Sequence, residues 1–169
     1  MKKKLYATVL ILAAAVFAVS AYAAPVAAGK PDFSGTWKLN VDKSDFGQMP
    51  PPITETNVIT QSGVDMKVVV TSEREQGERD YTLSLKLDGK DTPTPAGTFP
   101  PESPFQIVSS KAEWTGSDLV VSQQTTFQGN PGTLKSTWTL SLDGKVLTKS
   151  TQVSIGMGDF TTKTIYDKQ

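Results

Sequence analysis

The sequence predicts an all-β fold: a single up-and-down antiparallel β-barrel of about eight to ten strands, with little or no helix after an N-terminal signal peptide. Three observations lead there. From Gly35 onward apolar and polar residues alternate with period two, and the strand formers Val, Ile, Thr, Trp, Tyr and Phe dominate. No stretch of helical period runs longer than two turns. Short turns carrying Gly or Asp, where positive φ is wanted, separate the alternating runs and favour pairing between neighbours in sequence. A barrel removes the edges that such Thr-rich strands would otherwise present. A two-layer sandwich is the other arrangement open to this pattern.

The chain begins with the pattern of an export signal. Lys2, Lys3 and Lys4 precede an apolar run from Leu5 to Val19, and Ala21-Tyr22-Ala23 offers small residues for cleavage before Ala24. Val26-Ala27-Ala28 is a second candidate cleavage site. The apolar run falls short of the ~20 residues that span a bilayer. No Cys follows it to carry a lipid anchor. Residues 1–23 are therefore expected to be a removed signal peptide, 24–32 a linker and 33–169 the barrel domain. The mature protein is expected in the periplasm or outside the cell, with no stable membrane span.

Strands are predicted at Gly35–Val41, Thr54–Gln61, Asp65–Glu73, Glu78–Leu87, Gln106–Trp114, Asp118–Phe127, Thr133–Leu142, Val146–Val153 and Asp159–Asp167. Ser62-Gly63-Val64, Gln76-Gly77, Gly116-Ser117-Asp118, Asn130-Pro131-Gly132, Asp143-Gly144 and Gly156-Met157-Gly158 supply the turns. Two segments break the rhythm. Between Asp42 and Pro52, Lys43-Ser44-Asp45-Phe46-Gly47 suits one short helical turn before a stiff run with three prolines. Asp91 to Pro104 carries five prolines and cannot be a central strand, so any strand there is short or missing.

Composition narrows the chemistry. The chain has no His and no Cys, which excludes Ser-His-Asp triads, thiol nucleophiles and His-based metal sites. The charge is balanced over the whole chain, and losing the three leader lysines leaves the mature domain mildly acidic. Two Arg and scattered Lys give no footprint for nucleic acid or an anionic membrane. No cofactor or metal is expected, the reading is non-catalytic, and nothing in the sequence sets an oligomeric state.

Strand parity supplies the candidate ligand-binding residues. Met66, Val68, Val70, Ser72 and Arg74 share one face, as do Arg79, Tyr81, Leu83 and Leu85. Arg74 and Arg79 then lie on the apolar side of their strands, at one end of a hairpin. Either they hold an anionic head group at the barrel mouth, or they pair with Glu73, Glu75, Glu78 and Asp80. Leu119 and Val121 share parity with Gln123, Thr125 and Phe127, and Leu147 with Lys149, Thr151 and Val153. Gln123 and Lys149 in such lines suit a wet cavity, because unpaired polar burial costs ~1–3 kcal/mol. The other reading is a bulge that turns them outward. Trp114 and Trp138 either line a cavity or cap its ends, and Trp37 is read as the plug of the closed end.

At Gly35-Thr36-Trp37-Lys38-Leu39-Asn40, at Lys43-Ser44-x-Phe46 and at Ile165-Tyr166-Asp167-Lys168, the chain resembles the lipocalin-like domain of small secreted bacterial proteins. That resemblance implies a calycin-type barrel with an internal cavity and no assigned activity. In lipocalins a late Arg stacks on the Gly-x-Trp tryptophan, whereas this chain has no Arg after Arg79. The fatty-acid-binding relatives hold a carboxylate with Arg-x-Tyr on the last strand, where this chain reads Thr164-Ile165-Tyr166.

The sequence thus favours an exported barrel that binds a small apolar or amphipathic molecule in a cavity lined by Tyr81, Leu83, Leu85, Phe127 and Trp138. The alternative is a structural or protein-interaction barrel of the cell envelope. That barrel has a filled core and an exposed apolar patch at Phe46, Met49 and Phe99.

Overall fold

The computed structural model describes residues 29–169 apart from Gln76, Glu102 and Met157. The leader and both cleavage sites lie outside these residues. The described residues form one ten-stranded antiparallel sheet, nearly closed into a barrel. Its strands are β1 (Gly35–Leu39), β2 (Thr54–Ser62), β3 (Asp65–Arg74), β4 (Gly77–Lys86) and β5 (Asp91–Pro93). They continue as β6 (Phe105–Thr115), β7 (Asp118–Phe127), β8 (Asn130–Leu140), β9 (Val146–Ile155) and β10 (Gly158–Lys168). Every strand pairs with its sequence neighbour except β4 with β5, and β1 also pairs with β10. No described helix is long and apolar enough to cross a membrane.

Most predicted strands recur within a residue or two, because half-buried alternation marks their inner faces. The differences have local causes. The tenth strand, β5, is the short partner that the proline-rich segment permits; its three residues pair with Ser109–Lys111 of β6. The β7–β8 turn is not Asn130-Pro131-Gly132. Phe127 pairs directly with Asn130, and the loop is Gln128-Gly129, both at positive φ (50° and 80°). This two-residue geometry follows the twist of the strands. Pro131 enters β8 because it lies beyond the end of the β8–β9 ladder, which starts at Thr133. The strand predicted to reach Leu142 ends at Leu140, and Leu142 is fully exposed in the turn.

The helical turn between β1 and β2 is a 3₁₀ turn at Val41–Lys43, capped by the Asn40 side chain accepting from the Lys43 N–H. Pro50, Pro51 and Pro52 then lead to β2. A bulge at Val108 shifts the β6 register between Ile107 and Ser109 and leaves Val108 half-exposed. It lets Phe105 and Ile107 face inward on one side of the bulge, and Ser110, Ala112 and Trp114 on the other.

The core concentrates at the end of the barrel where β1 begins. Phe33, Trp37, Leu119, Leu147 and Met66 are buried there. Trp37 donates its indole N–H to the Phe33 carbonyl at 2.8 Å. Phe33 stacks on Trp114 (5.9 Å between ring centroids) and meets Trp138 edge-on (6.1 Å). The chain before β1 is tied in by Gln61, whose side chain accepts from the Phe33 N–H and donates to the Pro31 carbonyl. Trp37 is thus the expected plug, completed by Phe33. Lys168, at the end of β10, sets its ammonium 5.1 Å from the Trp37 ring. Truncating Trp37 to Ala removes the floor and orphans its carbonyl acceptor. The expected loss is about 3–5 kcal/mol, read as a lowered urea midpoint with the slope unchanged.

Candidate ligand-binding site

Above this apolar floor the inward faces become polar. On β2 the inward line is Glu55, Asn57, Ile59 and Gln61, opposite Ser72, Val70, Val68 and Met66 of β3. On β9 and β10 it includes Lys149, Thr151, Thr162, Thr164 and Tyr166. The Lys149 ammonium lies between two aromatic faces, 4.1 Å from the Trp138 ring and 4.7 Å from that of Tyr166. It also donates to Asn57 Oδ1 at 3.3 Å. The Tyr166 hydroxyl donates to Glu55 Oε1 at 2.7 Å, and Asn57 Nδ2 donates to the same oxygen at 3.2 Å. Gln123 Nε2 donates to Ser110 Oγ at 3.0 Å, and Ser136 and Thr151 share a hydroxyl contact of 2.8 Å.

Burial shifts these groups. Desolvation lowers the Lys149 pKa from 10.5 to about 8, and the nearby Glu55 charge only partly opposes it. Burial raises the phenols of Tyr81 and Tyr166, and Glu55 reinforces both shifts. Arg79 is lowered by desolvation and by the neighbouring Arg74 charge.

The mouth is the opposite end, at the tips of β3–β4, β7–β8 and β9–β10. Arg74 stands 3.8 Å from Glu55 Oε2 and donates to the Pro50 carbonyl at 3.3 Å. Ser72 Oγ, Arg74 Nε and Thr125 Oγ1 are buried without a hydrogen-bond partner among the described residues. Beside the mouth runs a seam: β4 and the β5–β6 pair approach each other without a ladder, being the two ends of the sheet. Aromatic rings fill it, with Tyr81 5.0 Å from Phe99 and Phe99 6.4 Å from Phe105. Phe99 comes from the proline-rich segment. The same segment brings Gly97 and Thr98 against Val69, Thr71, Asp80 and Thr82 at a surface cleft of about 350 Å³. A second cleft, of about 210 Å³, lies among Ser62, Met66, Lys86 and Thr92, away from the polar band.

All nine candidate residues fall on inward faces. Leu83, Leu85, Gln123 and Trp138 are buried; Arg74, Arg79, Tyr81, Phe127 and Lys149 are half-buried. The reading that turned Gln123 and Lys149 outward is therefore corrected, since the bulge lies on β6 and leaves their parity intact. Arg74 does not pair with Glu73, Glu75, Glu78 or Asp80, which alternate onto the outer face; its acid is Glu55. On the inward face, Lys149–Asn57 and Tyr166–Glu55 link β9 and β10 to β2. The expected apolar patch is absent as drawn: Phe99 is buried, Phe46 packs on the core, and Met49 alone of the three is exposed. Sequence reasoning missed Glu55, Asn57, Tyr166, Phe33 and Phe99. Parity along Thr54–Gln61 would have flagged the first two.

An antiparallel barrel of this strand order, with an apolar floor and a polar, charged lumen, is a calycin-like β-barrel. Solved structures share it. The zebrafish ileal bile acid-binding protein complexed with cholic acid matches 81% of this chain and 98% of its own, at 14% identity and a TM-score of 0.54. The Schistosoma mansoni fatty acid binding protein in complex with arachidonic acid matches 81% and 96%, at 17% identity and 0.50. Secretory abundant heat soluble protein 4 from Ramazzottius varieornatus matches 83% and 96%, at 14% identity and 0.52. At these identities the likeness is one of fold. No protein-family model and no curated protein matches the sequence.

Lys149 makes stability depend on pH in a defined direction. Its folded pKa is about 8 and its unfolded one 10.5, so between these values the unfolded chain holds more protons and stability rises with pH. Above about pH 10 the raised phenols of Tyr81 and Tyr166 reverse the slope, since the unfolded chain then loses its phenolic protons first. Urea denaturation from pH 7.5 to 10 should show the rise, and Lys149→Met should flatten it.

Proposed function

We propose that this barrel is an exported, non-catalytic carrier of a small apolar or amphipathic molecule, which it takes into its lumen. The observation that carries the reading is the seam between β4 and β5–β6. It is closed by Tyr81, Phe99 and Phe105 rather than by a strand ladder, and the flanking strands β3 and β7 carry buried polar groups with no partner among the described residues. Aromatic contacts worth ~0.5–1.5 kcal/mol each part more readily than a ladder. The likeness to barrels solved with cholic acid and arachidonic acid supports the amphipathic class. The lysine-rich, apolar start of the chain supports export, and the resemblance to the lipocalin-like domain of small secreted bacterial proteins fits both.

One observation favours the alternative of a structural or protein-interaction barrel: side chains already bridge the lumen. The two readings separate by experiment. Native mass spectrometry of protein purified from its own host should reveal a bound small molecule. Phe99→Ala should accelerate uptake of a fluorescent fatty probe roughly tenfold, as expected for removing ~1.4 kcal/mol from the opening barrier. No adduct and no uptake by either protein would leave the structural barrel standing.

A further inference from the structure

The β3–β4 hairpin gathers hydrogen-bond donors at the mouth, two of them without a partner among the described residues. Ser72 and Arg74 are two residues apart on the inward face of β3, and Arg79 lies directly across from Ser72 on β4. The Ser72 side chain is buried to 1% exposure, yet its hydroxyl has no partner among the described residues. Arg74 Nε is likewise buried and unpaired. Arg79 forms no ion pair with a described acid.

Leaving buried groups unpaired costs about 1–3 kcal/mol each, so Ser72 Oγ and Arg74 Nε together call for an acceptor from outside. Glu55 does not fill the role. Its Oε1 already accepts from Tyr166 and Asn57, and its Oε2 is 3.8 Å from Arg74, beyond hydrogen-bond range. Arg79 stands here beside Arg74, and both face the Glu55 carboxylate on the inward side. Toward the floor, the same wall turns apolar through Val70, Tyr81, Val68 and Leu83.

We infer that Ser72, Arg74 and Arg79 receive the carboxylate head of a singly charged amphiphile, whose tail runs down the β3–β4 wall. This rests on the lumen-binding reading above and names its ligand class. The guanidinium forks suit a planar two-oxygen head, and the Ser72 hydroxyl adds a third donor.

Calorimetric titration of the folded protein with decanoate, monodecyl phosphate and decanol, each below its micellar concentration, tests the assignment. Decanoate should bind about tenfold more tightly than decanol, the scale of one charge-assisted hydrogen bond. Ser72→Ala and Arg79→Gln should each erode that preference while leaving decanol affinity unchanged, an outcome that general loss of structure does not produce. Arg79→Lys should restore it only in part, because the charge returns without the fork. Equal affinity for decanoate and decanol would overturn the carboxylate site and leave lumen binding intact. Tighter binding of the phosphate would overturn the single-charge assignment. No binding of any of the three would overturn both.

Discussion

The barrel depends on β1, a strand of five residues that joins the first half of the sheet to the last. It pairs with β2 on one side and β10 on the other, so a slip in β1 would separate the two halves. Trp37 holds it in place. Its side chain is fully buried, its indole N–H is satisfied by the Phe33 carbonyl, and the Phe33 ring packs against Trp114 and Trp138. In a strand this short the ladder alone is weak. A large aromatic surface with its polar atom satisfied supplies what the ladder lacks.

The floor, in turn, allows the lumen to be polar. Because one end of the barrel is densely apolar, the middle can carry Asn57, Gln123, Ser136, Thr151 and Lys149 without losing the core. Asn57 and Lys149 pair across strands distant in sequence, while Gln123–Ser110 and Ser136–Thr151 join neighbouring strands. Lys149 is the exposed point of the scheme: aromatic faces and one amide oxygen are its nearest partners, and desolvation is left uncompensated enough to depress its pKa. Toward the mouth, Ser72 Oγ, Arg74 Nε and Thr125 Oγ1 have no hydrogen-bond partner among the described residues. The lumen thus grades from apolar to paired polar to unpaired polar along its axis.

The gradient was partly legible in the sequence. Period-two alternation assigned the inward faces of β3, β4, β7 and β9, and with them Arg74, Arg79, Gln123 and Lys149. Partners were not legible. Glu55 meets Tyr166 and Lys149 meets Asn57 only because β1 joins β2 to β10 and β9 in one wall, a relation that no local pattern encodes. The acids beside the arginines in sequence misled for the same reason: alternation sends neighbours to opposite faces. Phe99 was hidden because it sits in a proline-rich segment with no periodicity to read. The β7–β8 turn went astray because Asn-Pro-Gly is a strong turn signal, yet Gln128 and Gly129 take the positive φ values.

Five prolines between Asp91 and Pro104 have a mechanical consequence. Proline donates no backbone hydrogen bond, so the segment beside the free edge of β4 cannot zip onto it, and β5 stops at Pro93. The barrel is therefore a split ring: nine laddered junctions fix its wall, while at the tenth meeting the Tyr81, Phe99 and Phe105 rings and the Gly89 N–H bond to the Ala112 carbonyl join the two ends. Parting the split toward the mouth would break none of the nine ladders, and it is the prolines that leave it unladdered.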